Sequence, residues 1–170
     1  MNQSAERPIA VYRVHPATFW ASLFAALLLQ TFVPLVLPPT RLFDLPLLAV
    51  IYFALLKRKR IFGTILGMGV GLLQDALSHE YTGMFGMAKT LVGYMAAWGS
   101  VQFNLEHILP RFFLTGTLIF VHGLILLGLR RALLGVPLPS QPLDLLSSVM
   151  VNVALALIVF QMLDRFKQPA

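Results

Sequence analysis

The residues of this chain that could do chemistry are few and far apart. There are four histidines and no cysteine, so thiolate nucleophiles and cysteine-based metal sites are excluded. His79-Glu80 and Glu106-His107 are each a pair of metal-ligand types, but they fall in loops predicted to lie on opposite faces of a membrane, so they cannot share an ion. No nucleophile, base and oxyanion donor converge in the pattern. We therefore expect a protein that is not an enzyme and that holds no metal and no cofactor.

Polar side chains inside the apolar segments are the other candidates for function. Asp75 lies roughly 22 Å into the third apolar segment at the helical rise, and Lys89 lies about one and a half turns into the fourth. Consecutive helices run antiparallel, so both charges fall at similar depth, where a lone charge costs at least a few kcal/mol. We expect Asp75 and Lys89 to interact, directly or through water, and to form an intramembrane polar cluster with Gln74. This cluster is either a structural clamp or a ligand or partner site. His122, in the middle of the fifth segment, is expected to hydrogen-bond to a neighbouring helix or to mark a pathway.

The composition identifies the class of protein. Of 170 residues, 58% are hydrophobic and 12% are charged, and the mean hydropathy is +0.79, whereas soluble domains have about 25% charged residues. A soluble fold of this size could not bury so much apolar surface, so an integral membrane protein is indicated. The net charge of +6 does not make nucleic acid a partner, because the basic residues cluster between apolar segments, where they orient a membrane chain.

Six apolar segments approach the roughly 20 residues that a membrane-spanning helix needs. The second is the shortest and covers roughly 22 Å, so it either spans a thinned bilayer or is re-entrant. With six spans and both termini inside, nine Lys and Arg lie at the cytoplasmic face and three outside, as the positive-inside rule favours. We therefore predict an all-α bundle over residues 17–163, between cytoplasmic tails 1–16 and 164–170. The predicted spans are residues 17–37, 42–56, 61–77, 84–101, 110–129 and 143–163.

Two stripes of small residues predict close helix packing. Gly63, Gly67 and Gly71 recur every four residues on one face of the third segment, where a neighbouring backbone can approach closely. Ala17, Ala21 and Ala25 form a similar stripe on the first segment. The alanines either pack inside the bundle or form a docking face for a helix of another protein.

Residues 44–100 also carry a series of short motifs. The most specific is Gly-x-x-x-Gly-Leu-Leu-Gln-Asp over residues 67–75, followed by a short loop and a glycine-bearing helix. The other motifs are Pro46, Tyr52-Phe53-Ala54-Leu55, Gly63, Gly83, Gly86 and Leu91-Val92-Gly93-Tyr94. Together they resemble the MreD family, the small rod-shape-determining membrane proteins of bacteria.

The resemblance implies a fold and a function. The family is similar to the six-helix substrate-binding subunits of energy-coupling-factor transporters, which agrees with the predicted bundle. It implies a non-enzymatic scaffold of the cell-elongation machinery in the bacterial inner membrane, acting in cell shape and lateral peptidoglycan synthesis. The implied partners are an MreC-like single-pass protein and, through it, MreB, RodA and a penicillin-binding transpeptidase. The alternative is a vitamin-type, small-solute-binding subunit of such a transporter, whose class docks on its coupling protein through small residues of the first helix.

The basic cluster Lys57-Arg58-Lys59-Arg60 generates a first prediction. It is interpreted either as a topology determinant or as a site for anionic lipid, at about 1 kcal/mol per basic residue, or for an acidic cytoplasmic partner. If it determines topology, changing all four residues to glutamate weakens or inverts insertion. Because the chain has no cysteine, a single cysteine placed in the N-terminal tail reports its side by labelling with an impermeant maleimide. Unchanged labelling in the reversed variant would contradict the topology interpretation.

Overall fold

Six helices form most of the part of the chain that the structure, a computed structural model, describes, namely residues 12–37, 42–78, 83–103, 105, 107–135 and 143–169. They are α1 (Pro16–Val36), α2 (Leu45–Lys57), α3 (Arg60–Ser78), α4 (Met84–Gln102), α5 (Ile108–Leu134) and α6 (Leu143–Asp164). Four of them, α1, α3, α5 and α6, are long and apolar enough to cross a membrane. Four such helices are consistent with a multi-pass membrane protein.

The helix ends depart from the predicted spans at two places. Helix α2 begins at Leu45 because Asp44 caps it, with its side chain accepting a hydrogen bond from the backbone N–H of Leu47. Helix α5 continues through Arg130 and ends only at Gly135, which has φ 63°, the left-handed conformation that glycine adopts without strain. The predicted fifth span, residues 110–129, is therefore shorter than the helix.

The short helix α2 occupies the centre of the bundle. Ten of its thirteen residues are buried, and it contacts each of the other five helices. Its thirteen residues cover about 20 Å, which is too short for a lipid-facing span but sufficient for a helix covered by its neighbours. The near-continuous apolar sequence of α2 therefore reflects burial inside the protein.

The glycine stripe of α3 packs on the backbone of α4. A Cβ atom on Gly63 would clash with the carbonyl of Gly93, and one on Gly67 would clash with the carbonyl of Lys89. A Cβ atom on Gly71 would clash in the same way with the backbone at Phe85. The two antiparallel helices thus meet at three levels, one turn apart, and only glycine permits the observed separation.

Two features close the end of the bundle where α1 begins and α6 ends. Strand β1 (Tyr12–Val14) pairs antiparallel with β2 (Lys167–Pro169), which brings the two ends of the described chain together. Beside them, Asp164 accepts hydrogen bonds from Arg111 at 2.7 and 3.3 Å and from the Tyr52 hydroxyl at 3.0 Å. These bonds join α2, α5 and α6.

The glycine packing gives a prediction with a matched control on the same helix. Gly67→Ala is expected to lower the free energy of unfolding by about 1–3 kcal/mol, because its methyl group would have to displace the α4 backbone. Gly69 has no atom within 4 Å of the position of an added Cβ, so Gly69→Ala is expected to be neutral or slightly stabilising. Unfolding in detergent measures both. Equal effects of the two substitutions would contradict the close α3–α4 contact.

Candidate functional site

Polar residues from five helices converge on Asp44, the residue that caps α2. Helix α1 contributes Gln30, α3 contributes Gln74 and Asp75, α4 contributes Lys89, α5 contributes His122 and α6 contributes Asn152, around the capping residue Asp44. Of these seven, all but Gln30 are buried. We call this group the polar hub.

A buried ion pair is at the centre of the polar hub. The ammonium Nζ of Lys89 lies 2.6 Å from Oδ2 of Asp44, and Lys89 is completely buried. The other carboxylate oxygen of Asp44 accepts from the N–H of Leu47 at 3.0 Å. Both oxygens of Asp44 therefore have a donor, as a buried carboxylate needs, and the Lys89 ammonium also lies 4.7 Å from the ring centre of Phe85.

This arrangement corrects the expected direct pairing of Asp75 with Lys89, because the ion partner of Lys89 is Asp44. The charge of Asp75 still acts on Lys89, and an interaction of the two through water stays a prediction. Asp75 accepts hydrogen bonds from three backbone N–H groups at the start of α4, those of Gly83, Phe85 and Gly86, at 2.9–3.0 Å. These are the donors that an α-helix leaves unpaired at its N-terminus, where a negative charge is also favourable. Asp75 thus fastens α3 to α4, and the partner of Lys89 is on α2.

Two amide side chains hold the segment that leads into α2. Gln30 donates to the carbonyl of Phe43 at 2.8 Å and accepts from the N–H of Leu45 at 3.1 Å. Asn152 accepts from the N–H of Asp44 at 2.8 Å and donates to the carbonyl of Leu42 at 2.7 Å. A non-helical segment at this depth needs such partners, because its backbone groups have none in lipid.

A cavity of about 370 Å³ lies next to the polar hub. Two of the polar residues that line it, Gln74 and His122, are each 5% exposed, yet Gln74 Oε1 and His122 Nε2 have no hydrogen-bond partner. His122 Nε2 lies 3.9 Å from Asp44 Oδ2, beyond hydrogen-bond range, and the His122 ring stacks on Phe85 with a centroid distance of 6.4 Å. The expected bond from His122 to a neighbouring helix is therefore not formed at this nitrogen.

The other predicted site residues lie away from the cavity. Gly63, Gly67 and Gly71 are buried between α3 and α4. Ala17, Ala21 and Ala25 are exposed on α1, which buries Leu23, Ala26 and Leu27 instead. Packing inside the bundle is therefore not their role, and docking on another helix stays a prediction. The basic cluster comes where α2 ends and α3 begins, with Lys57, Lys59 and Arg60 exposed and Arg58 in the left-handed conformation at φ 54°.

The described residues contain no group of three or more His, Asp or Glu that could hold a metal ion. Of the two pairs considered from the sequence, His79, Glu80 and Glu106 lie outside the described residues. The expectation that these pairs hold no metal ion therefore stays a prediction.

Three residues of the polar hub were missed in the sequence: Gln30, Asp44 and Asn152. Asp44 carried a usable signal, since an Asp two residues before Pro46 at the start of an apolar segment is typical of a helix N-cap. Gln30 and Asn152 carried none, because one neutral amide in a membrane helix does not indicate which helix it faces.

Double-mutant cycles test the pairing of Lys89. Lys89→Met is expected to lower the free energy of unfolding by about 3–5 kcal/mol, because Asp44 would stay buried without its cation. Adding Asp44→Asn to Lys89→Met is expected to cost less than the sum of the single changes, with a coupling energy of about 1–3 kcal/mol. Asp75→Asn serves as the control and should show the smaller coupling to Lys89. A larger coupling of Lys89 to Asp75 would contradict the observed ion pair.

No protein-family model, curated protein or solved structure matches the chain. The functional proposal for this protein therefore depends on the sequence resemblance and on the geometry of its own residues.

Proposed function

We propose that this protein is a non-enzymatic membrane scaffold of the bacterial cell-elongation machinery, acting in cell shape and lateral peptidoglycan synthesis as the resemblance to MreD implies. Its direct partner is an MreC-like single-pass protein, and through it MreB, RodA and a penicillin-binding transpeptidase are connected. The residues that carry the resemblance support this proposal by their position. Gly63, Gly67, Gly71 and Asp75 all serve the α3–α4 contact, as expected for a motif that maintains a fold.

The observation that carries the scaffold proposal is the exposed side of α1. Ala17, Ala21 and Ala25 recur every four residues there, on the side of the helix away from its buried residues Leu23 and Leu27. A row of small residues facing the lipid admits another helix at short distance, and helix association in membranes depends on such contacts. A single-pass partner supplies one helix of the required kind.

The proposed topology has six crossings in the inner membrane with both termini in the cytoplasm. It is supported by the β1–β2 pairing, which brings both ends of the described chain to one end of the bundle. Basic residues also support this topology. Arg111 and Lys167 lie at that end of the bundle, and the basic cluster Lys57–Arg60 lies at the turn that follows α2. The positive-inside rule requires basic residues at a cytoplasmic face. Anionic lipid is a further proposed partner of this cluster.

A second candidate function is the capture of a small solute as a subunit of an energy-coupling-factor transporter. The cavity beside the polar hub favours it, since a volume of about 370 Å³ is within the range of small-molecule sites. In that case the alanine side of α1 docks on the coupling protein of the transporter.

A pull-down in mild detergent from native membranes, with mass spectrometry of the recovered proteins, distinguishes the two. The scaffold proposal predicts an MreC-like protein together with RodA or its transpeptidase. Ala21→Leu should weaken that association about tenfold, or about 1.4 kcal/mol, which lies within the usual cost of overpacking. Ala154→Leu is the matched control, because Ala154 is an exposed alanine on α6, and it should leave the recovery unchanged.

Two results would overturn the scaffold proposal. Recovery of an ATPase pair with a membrane coupling subunit supports the transport function instead. Equal loss of partners in Ala21→Leu and Ala154→Leu removes the assignment of the docking face to α1.

A further inference from the structure

The proposed scaffold role does not use the cavity beside the polar hub. It is lined by residues of all six helices or their ends, among them Gln30, Asp44, Gln74, His122 and Asn152. Gln30 and Asn152 hold the segment before α2 through hydrogen bonds to its backbone. The remaining lining groups therefore determine which kind of molecule the cavity could bind.

The charges in the lining do not require a charged occupant. Asp44 is paired with Lys89 at 2.6 Å, and its second oxygen is used by the N–H of Leu47. Arg130 also lines the cavity and is not a free cation. An additional charge entering this low-dielectric space would lose its hydration without gaining an unpaired counter-ion.

The unpartnered groups of the lining are polar and can be neutral. Gln74 Oε1 accepts hydrogen bonds, and the imidazole Nε2 of His122 either donates or accepts according to its tautomer. Each buried polar atom without a partner costs about 1–3 kcal/mol. A donor brought to Gln74 and a polar group brought to His122 would recover that cost.

Most of the rest of the lining is apolar, the exception being Ser148, whose hydroxyl donates to the carbonyl of Leu42. Ile119, Leu126, Leu127 and Val149 border the same space. Small-molecule sites combine an apolar wall of this kind with a few polar groups that fix orientation. An occupant of the cavity therefore has an apolar body as well as a hydrogen-bonding group.

We infer that this cavity is a binding site for an uncharged small molecule that carries a hydrogen-bond donor on an aromatic or aliphatic body, with Gln74 and His122 as its polar contacts. The inference does not depend on which partners the bundle has. If the protein is a transporter subunit, this molecule is the class of solute that it captures. If the protein is a scaffold, the molecule is a ligand of that scaffold.

Three probes of nearly equal shape distinguish the classes of occupant. Benzamide is neutral and carries an amide, benzoate is an anion and toluene is apolar. The full-length protein in detergent is titrated with each at millimolar concentrations, and binding is followed by the rise in Tm and by isothermal calorimetry. Benzamide is expected to bind about tenfold more tightly than benzoate or toluene, the difference that one buried hydrogen bond gives.

Variants assign the binding to the cavity. Gln74→Met keeps the length of the side chain without its amide, and His122→Phe keeps the ring without its nitrogens, so each should weaken benzamide binding about tenfold. Thr115→Val is the matched control, since its hydroxyl is also buried without a partner but does not line this cavity. It should bind benzamide as the unchanged protein does.

Each contrary result overturns the inference in a different way. Tighter binding of toluene would mean a dry apolar cavity, and tighter binding of benzoate would mean an anion site. Failure of all three probes to bind would mean that ordered water satisfies Gln74 and His122. None of these results depends on the pull-down, so failure of the binding site and failure of the scaffold role are distinguishable.

Discussion

The ion pair between Lys89 and Asp44 is the constraint on which the rest of the bundle depends. Lys89 is wholly buried, and a cation at that position inside a membrane protein requires a counter-ion within contact distance. Its backbone is also the surface on which Gly67 packs. One residue therefore fixes α4 against α3 through its main chain and against α2 through its side chain. Displacing any of these three helices either separates the charges or opens the glycine contact.

The short central helix imposes the second constraint. Because α2 begins inside the protein, the residues that lead into it bring backbone groups with no helical partner into the bundle, where these groups need hydrogen-bond partners. Gln30 and Asn152 supply the missing partners from opposite sides, and Asp44 satisfies the first turn of the helix itself. The cavity with its unpartnered Gln74 and His122 lies beside this convergence of side chains.

The positions of the helices along the chain could be predicted from the sequence, but the contacts between the helices could be predicted only in part. Long apolar segments and the glycine spacing of α3 depend on local pattern, which a single sequence contains, and six helices occur where six segments were expected.

The ion partner of Lys89 could not be predicted from the sequence. The depths of two charges along their helices do not indicate which third helix faces them. The sequence indicates that Asp75 is a buried charge, but its hydrogen-bond partners are three backbone N–H groups of α4. Every residue except proline has a backbone N–H, so residue types do not predict such a partner. The β1–β2 pairing involves three residues on each side, too few for a strand pattern to be visible.

Helix α1 connects the proposed docking face with the cavity. Its exposed side carries Ala21 and its neighbours, whereas Gln30, on the side facing the bundle, holds the entry to α2 and lines the cavity. A helix that docked on the alanines and displaced α1 would have to break both hydrogen bonds of Gln30 or carry residues 43–45 with it. Either movement changes the walls of the cavity, since Phe43 and Asp44 belong to them. The proposed docking surface and the cavity are therefore not independent parts of the fold, because both depend on the position of the same helix.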